Sequence, residues 1–284
     1  MARRNNKRKR VIAWMLMLIS LGVMLLSGFK LRETHHIYQI GEENYKSLTD
    51  RVRPGGLPDF GGLKNGSGTS GANGSGGSGG AFSGTGSRPD VTPNVAIPDM
   101  AIDFDVLQSI NPDAVAWLYS PDTVIDYPVV RATEYDYYLH HLPDGTYNAN
   151  GTLFIDYNWT DFSDKLTIIY GHNMNSGRMF GSLTGYKGQQ YYEAHPYLYL
   201  YTAEGERFRI DLLYGCVIEA GQWRERAFMF DVNLDSLLSY AAYHTTFKSK
   251  TQYTQGDRVV VLSTCSYEFD NARYVVLGLL RPEY

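Results

Sequence analysis

The sequence lacks several features that would assign it to common protein classes. It has only 2 cysteines in 284 residues, far too few for a small scaffold held together by disulfides. Its formal net charge is −4, so no overall positive field attracts nucleic acid. It also lacks the His-Glu-x-x-His pattern of zinc hydrolases and the Gly-Lys-Ser/Thr pattern of phosphate-binding loops. We therefore expect no nucleic-acid partner, no metal and no other cofactor.

Charge is also absent from one long stretch near the N-terminus. Residues 11–29 (VIAWMLMLISLGVMLLSGF) contain no charged side chain, and a helix of that length extends about 28 Å, close to the hydrocarbon thickness of a bilayer. The alternatives are a buried helix and a cleaved signal peptide. A signal peptide has a shorter apolar run, and residues 27–30 (SGFK) do not resemble its cleavage site. We interpret residues 11–29 as an uncleaved, single-pass membrane anchor.

Basic residues before the anchor predict its orientation. They are Arg3, Arg4, Lys7, Arg8, Lys9 and Arg10. Because basic residues flanking a membrane span stay on the cytoplasmic side, residues 1–10 are predicted to be a cytoplasmic tail. The chain from Lys30 onward is then extracellular.

Two segments separate the anchor from the predicted folded domain, residues 98–284. Residues 30–54 form a juxtamembrane segment in which residues 33–48 have the character of a short helix. Residues 55–97 are interpreted as a flexible linker, because a Gly- and Ser-rich composition buries too little apolar surface to offset the entropy lost on ordering. We expect this linker to tether the domain to the membrane, so that a chain beginning near Pro89 contains the whole domain.

Residues 98–284 are predicted to be mainly β. A short amphipathic helix over residues 102–110 and a later helix over residues 233–247 accompany segments rich in β-branched and aromatic residues. The predicted strands are residues 115–119, 124–130, 151–157, 166–170, 197–202, 207–219, 258–264 and 273–280. Many short strands with one inserted helix favour a closed or nearly closed barrel.

The two cysteines differ in their settings. Cys216 lies inside the apolar run 212–218 (LLYGCVI), which is typical of a small buried side chain. Cys265 follows an apolar run and precedes a polar one. An extracellular domain also allows a disulfide between them, so that alternative stays open beside one inert and one reactive thiol.

The stretch most informative about chemistry is residues 259–280 (VVVLSTCSYEFDNARYVVLGLL). An apolar strand ends at Cys265, a polar loop follows, and Arg273 opens the next apolar strand. If these strands are antiparallel neighbours, Arg273 returns close to the thiol, where a guanidinium can favour a thiolate and hydrogen-bond an oxyanion. Taken alone, the same pattern also fits a buried cysteine beside a surface arginine.

A second apolar strand leads into Gly171-His172-Asn173. A histidine at the open end of a barrel strand is placed to exchange protons with a nucleophile on a nearby strand. A single strand-end histidine is more often structural than catalytic. Its combination with Cys265 and Arg273 predicts instead a cysteine nucleophile that is assisted by a histidine and an arginine.

Several motifs, in order along the chain, resemble class B of the sortase family. Residues 261–265 (VLSTC) resemble the family's Thr-Leu-x-Thr-Cys motif and depart from it only at the first position. Residues 168–174 (IIYGHNM) are similar to the class B histidine segment. Further similar segments are residues 110–118 (INPDAVAWL), 151–158 (GTLFIDYN), 179–181 (MFG) and 266–272 (SYEFDNA). The likeness extends from about Asp99 to the C-terminus.

This resemblance implies a sortase-type eight-stranded β-barrel with an N-terminal helix and one inserted helix, for which residues 233–247 are the candidate. It also implies a two-step reaction. Cys265 attacks a carbonyl of a sorting motif near the C-terminus of a secreted protein, and a peptidoglycan amine then resolves the thioacyl-enzyme. His172 matches the proton-transfer residue and Arg273 the clamp on the oxyanion or substrate.

Two further residues are implied as substrate contacts. Ser263 matches a position that lines the substrate groove of class B members. His141 precedes the segment GTLFIDYN, which borders that groove in the family, although a loop histidine is usually only solvated. No metal or cofactor is implied.

The implied partners are secreted proteins that carry a sorting motif, a peptidoglycan amine, and the membrane of a Gram-positive-like cell. Two other functions remain as alternatives. A pilin-polymerising sortase would use the same residues. An inactive anchored binding module would be expected to have lost the cysteine, the histidine or the arginine, whereas Cys265, His172 and Arg273 are all present.

Overall fold

A computed structural model describes residues 2–57, 96–134, 136–156, 161–222 and 230–283. Most of the predicted linker, residues 55–97, lies outside the described residues. The strands within them are β1 (Ala114–Tyr119), β2 (Asp126–Arg131), β3 (Leu153–Ile155), β4 (Leu166–Tyr170), β5 (Tyr197–Thr202), β6 (Arg207–Glu219), β7 (Val259–Cys265) and β8 (Ala272–Pro282).

These strands close into one barrel in the order β1-β2-β3-β4-β7-β8-β6-β5, which confirms the predicted eight-stranded barrel. Two neighbouring pairs are parallel, β2 with β3 and β4 with β7, and the other pairs are antiparallel. A parallel pair needs a long crossover connection, so the chain leaves the barrel wall between β2 and β3 over residues 132–152. Because parallel strands end at the same edge, the C-terminal ends of β4 and β7 lie side by side.

The strand bounds agree with the prediction where the sequence is most apolar. Strands β4, β5 and β6 begin and end at the predicted residues. Strand β3 is shorter than the predicted 151–157, because the Thr152 N–H donates to the Tyr138 carbonyl instead of to a neighbouring strand. Residue 157 lies outside the described residues.

The helices that accompany the barrel within the described ranges include α1 (Ala2–Val52), α2 (Phe104–Ile110), α3 (Gln189–Ala194) and α4 (Phe230–His244). Helix α2 begins after Asp103, whose carboxylate accepts from the Val106 N–H at 2.9 Å, a normal N-cap contact. Helix α4 is the predicted late helix. Helix α3 and two short 3₁₀ segments, Tyr137–Leu139 and Gly181–Lys187, were not predicted.

The barrel interior is a continuous apolar core. Trp117 on β1 is fully buried, and its indole N–H donates to Asp126 Oδ1 at 2.7 Å, so the polar end of this side chain keeps a partner. Burying one large apolar side chain stabilises a fold by about 1.5–3 kcal/mol. Other large side chains that are fully buried include Phe162, Phe180, Tyr186, Phe208, Phe247 and Tyr274.

Helix α1 is one continuous helix of 51 residues, where the sequence predicted an anchor followed by a separate short helix. Within the described residues it is the one helix that is long and apolar enough to cross a membrane. From Trp14 to Phe29 its large apolar side chains face outward; Trp14 is 65% and Phe29 is 70% exposed. A surface of this kind is suited to lipid.

The last turns of α1 pack against the barrel. Tyr45, Leu48 and Val52 belong to the buried core, and their spacing places them on one face of the helix. Arg53 follows, buried, and donates to both carboxylate oxygens of Asp126 at 2.9 and 2.6 Å. The C-terminal end of the juxtamembrane segment is therefore part of the packed body, which the prediction of a separate segment did not anticipate.

Candidate active site

Cys265 is the last residue of β7 and is half-buried. Its register partner on β8 is Arg273, so the antiparallel return of the chain brings the arginine opposite the thiol. Cys216 lies in β6, fully buried, with Val275 as its partner on β8. Neither cysteine forms a disulfide, so the alternative of a disulfide between them is wrong.

His172 stands next to the same strand end. The parallel register of β4 and β7 pairs Tyr170 with Ser263, and continuing it by two residues sets His172 beside Cys265. Two side-chain hydrogen bonds join the residues on either side of His172 to β7. Thr264 Oγ1 donates to the Gly171 carbonyl at 2.7 Å, and Asn173 Nδ2 donates to the Cys265 carbonyl at 2.9 Å.

The imidazole of His172 is held by the connection between β2 and β3. Its Nε2 lies 2.7 Å from the Leu139 carbonyl oxygen, and because a carbonyl only accepts, Nε2 carries the proton. Burial lowers the pKa of His172; the hydrogen bond to Leu139 opposes this effect, and the charge of His140 adds to it. The neutral imidazole is thus favoured, with Nδ1 as the nitrogen free to take a proton.

Arg273 is half-buried, and its Nη1 donates to the Ala272 carbonyl at 3.1 Å. Backbone N–H groups of Gly221 and Gln222 lower the pKa of Glu219, and the charge of Arg273 contributes to the same shift. Among the described residues, no carboxylate forms an ion pair with Arg273. Its remaining guanidinium N–H groups are available for an oxygen of a bound substrate.

The two predicted substrate contacts, Ser263 and His141, lie in different surroundings. Ser263 is 1% exposed, and its Oγ has no hydrogen-bond partner in the part of the chain that is described. The His141 ring stacks on Tyr137 at 3.9 Å between centroids, with Nδ1 2.7 Å from the Tyr137 carbonyl. His140, not His141, is the neighbour of His172, with 6.3 Å between ring centroids.

A polar cleft of about 510 Å³ adjoins the end of β7. Lys187 Nζ donates to Ser266 Oγ at 3.0 Å and forms an ion pair with Glu268. The cleft reaches the candidate nucleophile through Asn173, whose side chain holds the Cys265 carbonyl. Its lining residues are Asn173, Met174, Asn175, Gly177, Gly181, Thr184, Lys187, Ser266, Tyr267 and Glu268.

Sequence reasoning did not identify several groups of this site. The Leu139 carbonyl has no sequence signal, because every residue carries one. Asn173 and Thr264 stood inside the quoted motifs, but the sequence did not show that they fasten the ends of β4 and β7 together. No group of three or more His, Cys, Asp or Glu side chains within the described ranges is arranged to hold a metal ion.

The arrangement is chemically suited to acyl transfer. The strand register brings a residue with a thiol, one with an imidazole and one with a guanidinium to the same edge of the barrel. Such a set can supply a nucleophile, a proton carrier and a donor for the oxyanion of a tetrahedral intermediate.

Comparisons with known proteins agree on one kind of relative. No family model matches the chain. Sortase B of Listeria monocytogenes is 34% identical over 180 residues, which cover 61% of this chain and 72% of that protein. The solved structure of Clostridium perfringens sortase B superposes with a TM-score of 0.58 and 28% identity, covering 63% of this chain and 99% of that one. A Streptococcus pyogenes class B sortase, described as involved in pilus biogenesis, has a TM-score of 0.57 and 28% identity, covering 63% and 97%.

Proposed function

The chain belongs to the class B sortase family, and we propose that it is a membrane-anchored cysteine transpeptidase that attaches secreted proteins to the cell wall. The observation that carries the proposal is the register that sets Cys265 opposite Arg273 and beside His172. All three residues lie at one edge of the barrel, and Asn173 and Ser266, which follow His172 and Cys265 in the chain, line an open cleft.

In the first half of the reaction, His172 Nδ1 takes the proton of the Cys265 thiol. The thiolate attacks a carbonyl carbon of the sorting motif, and Arg273 hydrogen-bonds the oxyanion that forms. The peptide C–N bond then breaks, and the imidazolium gives its proton to the leaving amine. The product is a thioester between the substrate protein and Cys265.

In the second half, an amine of the peptidoglycan precursor attacks the thioester. His172 takes a proton from this amine and returns it to the sulfur as the C–S bond breaks. The lowered pKa of His172 supports this role, because a neutral imidazole is ready to act as a base at the start of each half.

Ser263 and His141 remain proposed substrate contacts. The unpartnered Oγ of Ser263 is a hydrogen-bonding group that a substrate can satisfy once it reaches this strand. For His141 only Nε2 is left, because Nδ1 is already bonded to the Tyr137 carbonyl.

The membrane part of the proposal rests on α1. We propose that residues 11–29 cross the membrane once, that residues 1–10 stay in the cytoplasm, and that the barrel lies outside the cell. The continuous apolar surface of the helix and its basic N-terminal flank support this orientation.

The experiment is to incubate the full chain, in detergent, with a panel of sorting-motif peptides and to look for a thioester on Cys265 by mass spectrometry. A mass shift that maps to Cys265 and disappears in Cys265→Ala supports the proposal. No adduct with any peptide, or an adduct on Cys216, overturns it.

Pilus assembly is a second candidate, because the similar Streptococcus pyogenes structure is described as that of a sortase involved in pilus biogenesis. The two candidates differ in the amine that resolves the thioester. A lysine of another protein subunit would give covalent ladders of that protein, whereas a wall amine gives one protein per wall fragment.

A further inference from the structure

Helix α1 contacts the segment that holds the imidazole of His172. We propose that residues 37–45 of α1 act as a positioning element of the active site. They hold residues 137–152, here named the support segment, in the conformation in which the Leu139 carbonyl receives the hydrogen bond of His172. The inference rests on the proposed role of His172.

The first contact is made by Tyr45. Its hydroxyl donates to the Gly151 carbonyl and lies 3.4 Å from Thr152 Oγ1. Tyr45 is 7% exposed. Burial raises the pKa of this phenol, so the hydroxyl keeps its proton and remains a donor. One end of the support segment is thus bonded directly to the helix.

The second contact is made by two buried asparagines of the support segment. Asn148 Nδ2 donates to the Ile37 carbonyl at 2.9 Å, and Asn150 Nδ2 reaches the Tyr38 carbonyl at 3.5 Å. The helix can approach this closely only because residue 41 is glycine. A Cβ at Gly41 would lie 2.1 Å from Asn150 Nδ2 and 2.9 Å from Asn148 Oδ1.

Inside the support segment, Gly151 lies against the backbone that carries Leu139. Gly151 has φ +60°, and a Cβ there would lie 2.6 Å from the Tyr138 carbonyl oxygen and 2.7 Å from that of Leu139. The Thr152 N–H also donates to the Tyr138 carbonyl at 2.8 Å. Contacts therefore run without a gap from Tyr45 through Gly151 and Leu139 to His172.

The barrel side also holds the support segment: Tyr138 and Leu142 are buried in the core, and Asn111 Nδ2 donates to the Tyr138 hydroxyl at 3.0 Å and to the Pro143 carbonyl at 2.9 Å. Residues 137–152 lie between β2 and β3, outside the ladders of the barrel strands, and their own strand-like contact is a single bridge between His141 and Tyr147. A backbone outside a ladder is restrained mainly by what packs on it. Around residues 148–151 the hydrogen-bonding partner is α1, through Tyr45 and the carbonyls of Ile37 and Tyr38, and α1 is also the helix suited to crossing the membrane.

The packing of α1 on the barrel changes the role that we expect for the predicted linker, residues 55–97. The Val52 carbonyl, at the end of α1, accepts from the Asp103 N–H at 2.9 Å. The end of α1 and the start of α2 therefore lie next to each other. Because α1 itself contacts the barrel, the predicted linker does not separate the barrel from the anchor. Instead α1 rises about 18 Å from Phe29 to Gly41 and sets the distance of the support segment from the membrane.

The test compares Tyr45→Phe with Tyr201→Phe in the full chain in detergent micelles. Tyr201 is a matched control, because its buried hydroxyl also donates to a backbone carbonyl, that of Pro98 at 2.8 Å, but on β5. Both variants should lose a similar amount of thermal stability. The two quantities to measure are the rate of thioester formation on Cys265 as a function of pH and the titration of His172, followed by NMR with labelled histidine.

We expect Tyr45→Phe to slow thioester formation by about tenfold, as misplacement of a reacting group can do. It should also lower the pKa of His172 further, because the hydrogen bond to Leu139 that raises it is weakened. Tyr201→Phe should match the wild type in both measurements. Gly41→Ala should have a larger effect than Tyr45→Phe, whereas Gly28→Ala, which has open space around it, should have none.

An unchanged His172 titration and pH profile in Tyr45→Phe would overturn the positioning role, even if the rate fell. The titration needs no turnover, so it decides the matter independently of the assay. If the wild-type chain forms no thioester with any peptide while the titration shifts as expected, the proposed function fails and the positioning by α1 stands.

Discussion

Cys265 and Arg273 face each other in register across β7 and β8, and Arg273 is also the register partner of Ile218 on β6. The arginine is thus flanked by a strand on each side, and its backbone position relative to the thiol is set by the sheet. A guanidinium held in this way presents a planar fork of donors in a fixed direction. Because of this geometry, substitutions of Arg273 can distinguish directed hydrogen bonding to an oxyanion from a general effect of its positive charge.

The first prediction concerns the shape of that clamp. Arg273→Ala should reduce turnover about 100- to 1,000-fold, roughly 3–4 kcal/mol, as loss of one oxyanion donor typically does. Arg273→Lys should recover only a small part, because an ammonium keeps the charge but does not reproduce a two-pronged contact. The measurement is kcat for peptide transfer. A lysine variant with nearly wild-type turnover would rule out the clamp.

Arg258 provides the control for this series. It precedes β7 at the opposite end of the strand from Cys265, with its guanidinium 4.8 Å from the Phe208 ring centroid and its Nη1 donating to the Phe162 carbonyl at 3.1 Å. Arg258→Ala should therefore lower Tm but leave kcat unchanged. The opposite pattern, a change in activity greater than that in stability, is expected for Arg273→Ala.

The second prediction separates the two thiols. Cys265→Ala should abolish both peptide cleavage and transfer, because no other described residue occupies the position of the nucleophile. Cys216→Ala should keep turnover within a few-fold and cost about 1 kcal/mol of stability from lost packing in β6. Intact mass under non-reducing conditions should show two free thiols. A mass lower by two hydrogens would indicate a disulfide and contradict this assignment.

The third prediction concerns the hydrogen bond that joins the ends of β4 and β7. Thr264 is 2% exposed, and Thr264→Val keeps its shape but removes the donor to the Gly171 carbonyl. A buried acceptor left without a partner costs about 1–3 kcal/mol. Because His172 follows Gly171, thioester formation should slow as well.

Thr264→Ser is the matched control, since it keeps the hydroxyl and loses only a methyl group. It should retain most of the activity and of the stability. Equal rates for the valine and serine variants would show that this bond does not position His172.

The fourth prediction concerns the neighbouring histidines. When His140 is protonated, its charge disfavours a second positive charge on His172, and this lowers the pKa of His172. His140→Gln should therefore raise that pKa and move the acidic limb of the pH–rate profile to higher pH. The difference should shrink at high salt, because the His140 side chain is exposed and screened.

NMR titration of His172 checks this directly. His141→Gln is the comparison, because the His141 ring is stacked on Tyr137 and its charge does not contribute to the shift of His172. If His141→Gln raised the pKa of His172 as much as His140→Gln, the effect would not come from the adjacent imidazole.

The strands, and the candidate catalytic residues at their ends, were predictable because the types of side chain in the sequence indicate both. The apolar runs that become β4 and β7 place His172 and Cys265 at their C-terminal ends, and the class B motifs indicate that these ends belong together. The contribution of Leu139 was not predictable, because it uses a backbone carbonyl. The docking of α1 was not predictable either, since Tyr45 finds its partner at Gly151, far along the chain.

The fifth prediction follows from that docking. The sequence alone suggests that a chain beginning near Pro89 contains everything the barrel needs. The structure predicts otherwise, because such a chain loses the buried side chains of Tyr45, Leu48 and Val52. At about 1.5–3 kcal/mol for each large apolar side chain, the loss is a large part of the 5–15 kcal/mol that typically stabilises a domain.

Urea unfolding should therefore show a chain that begins at residue 96 to be much less stable than one that begins at residue 30. The shorter chain also leaves Asp126 without the guanidinium of Arg53, which donates to both of its carboxylate oxygens. In contrast, joining residue 57 to residue 96 through a short Gly-Ser connection should preserve stability, because the Val52 carbonyl and the Asp103 N–H already lie in contact and a shorter loop costs less entropy to close. Equal stability of the chains that begin at residues 30 and 96 would show that α1 only rests on the barrel, and its proposed effect on His172 would then lose its structural basis.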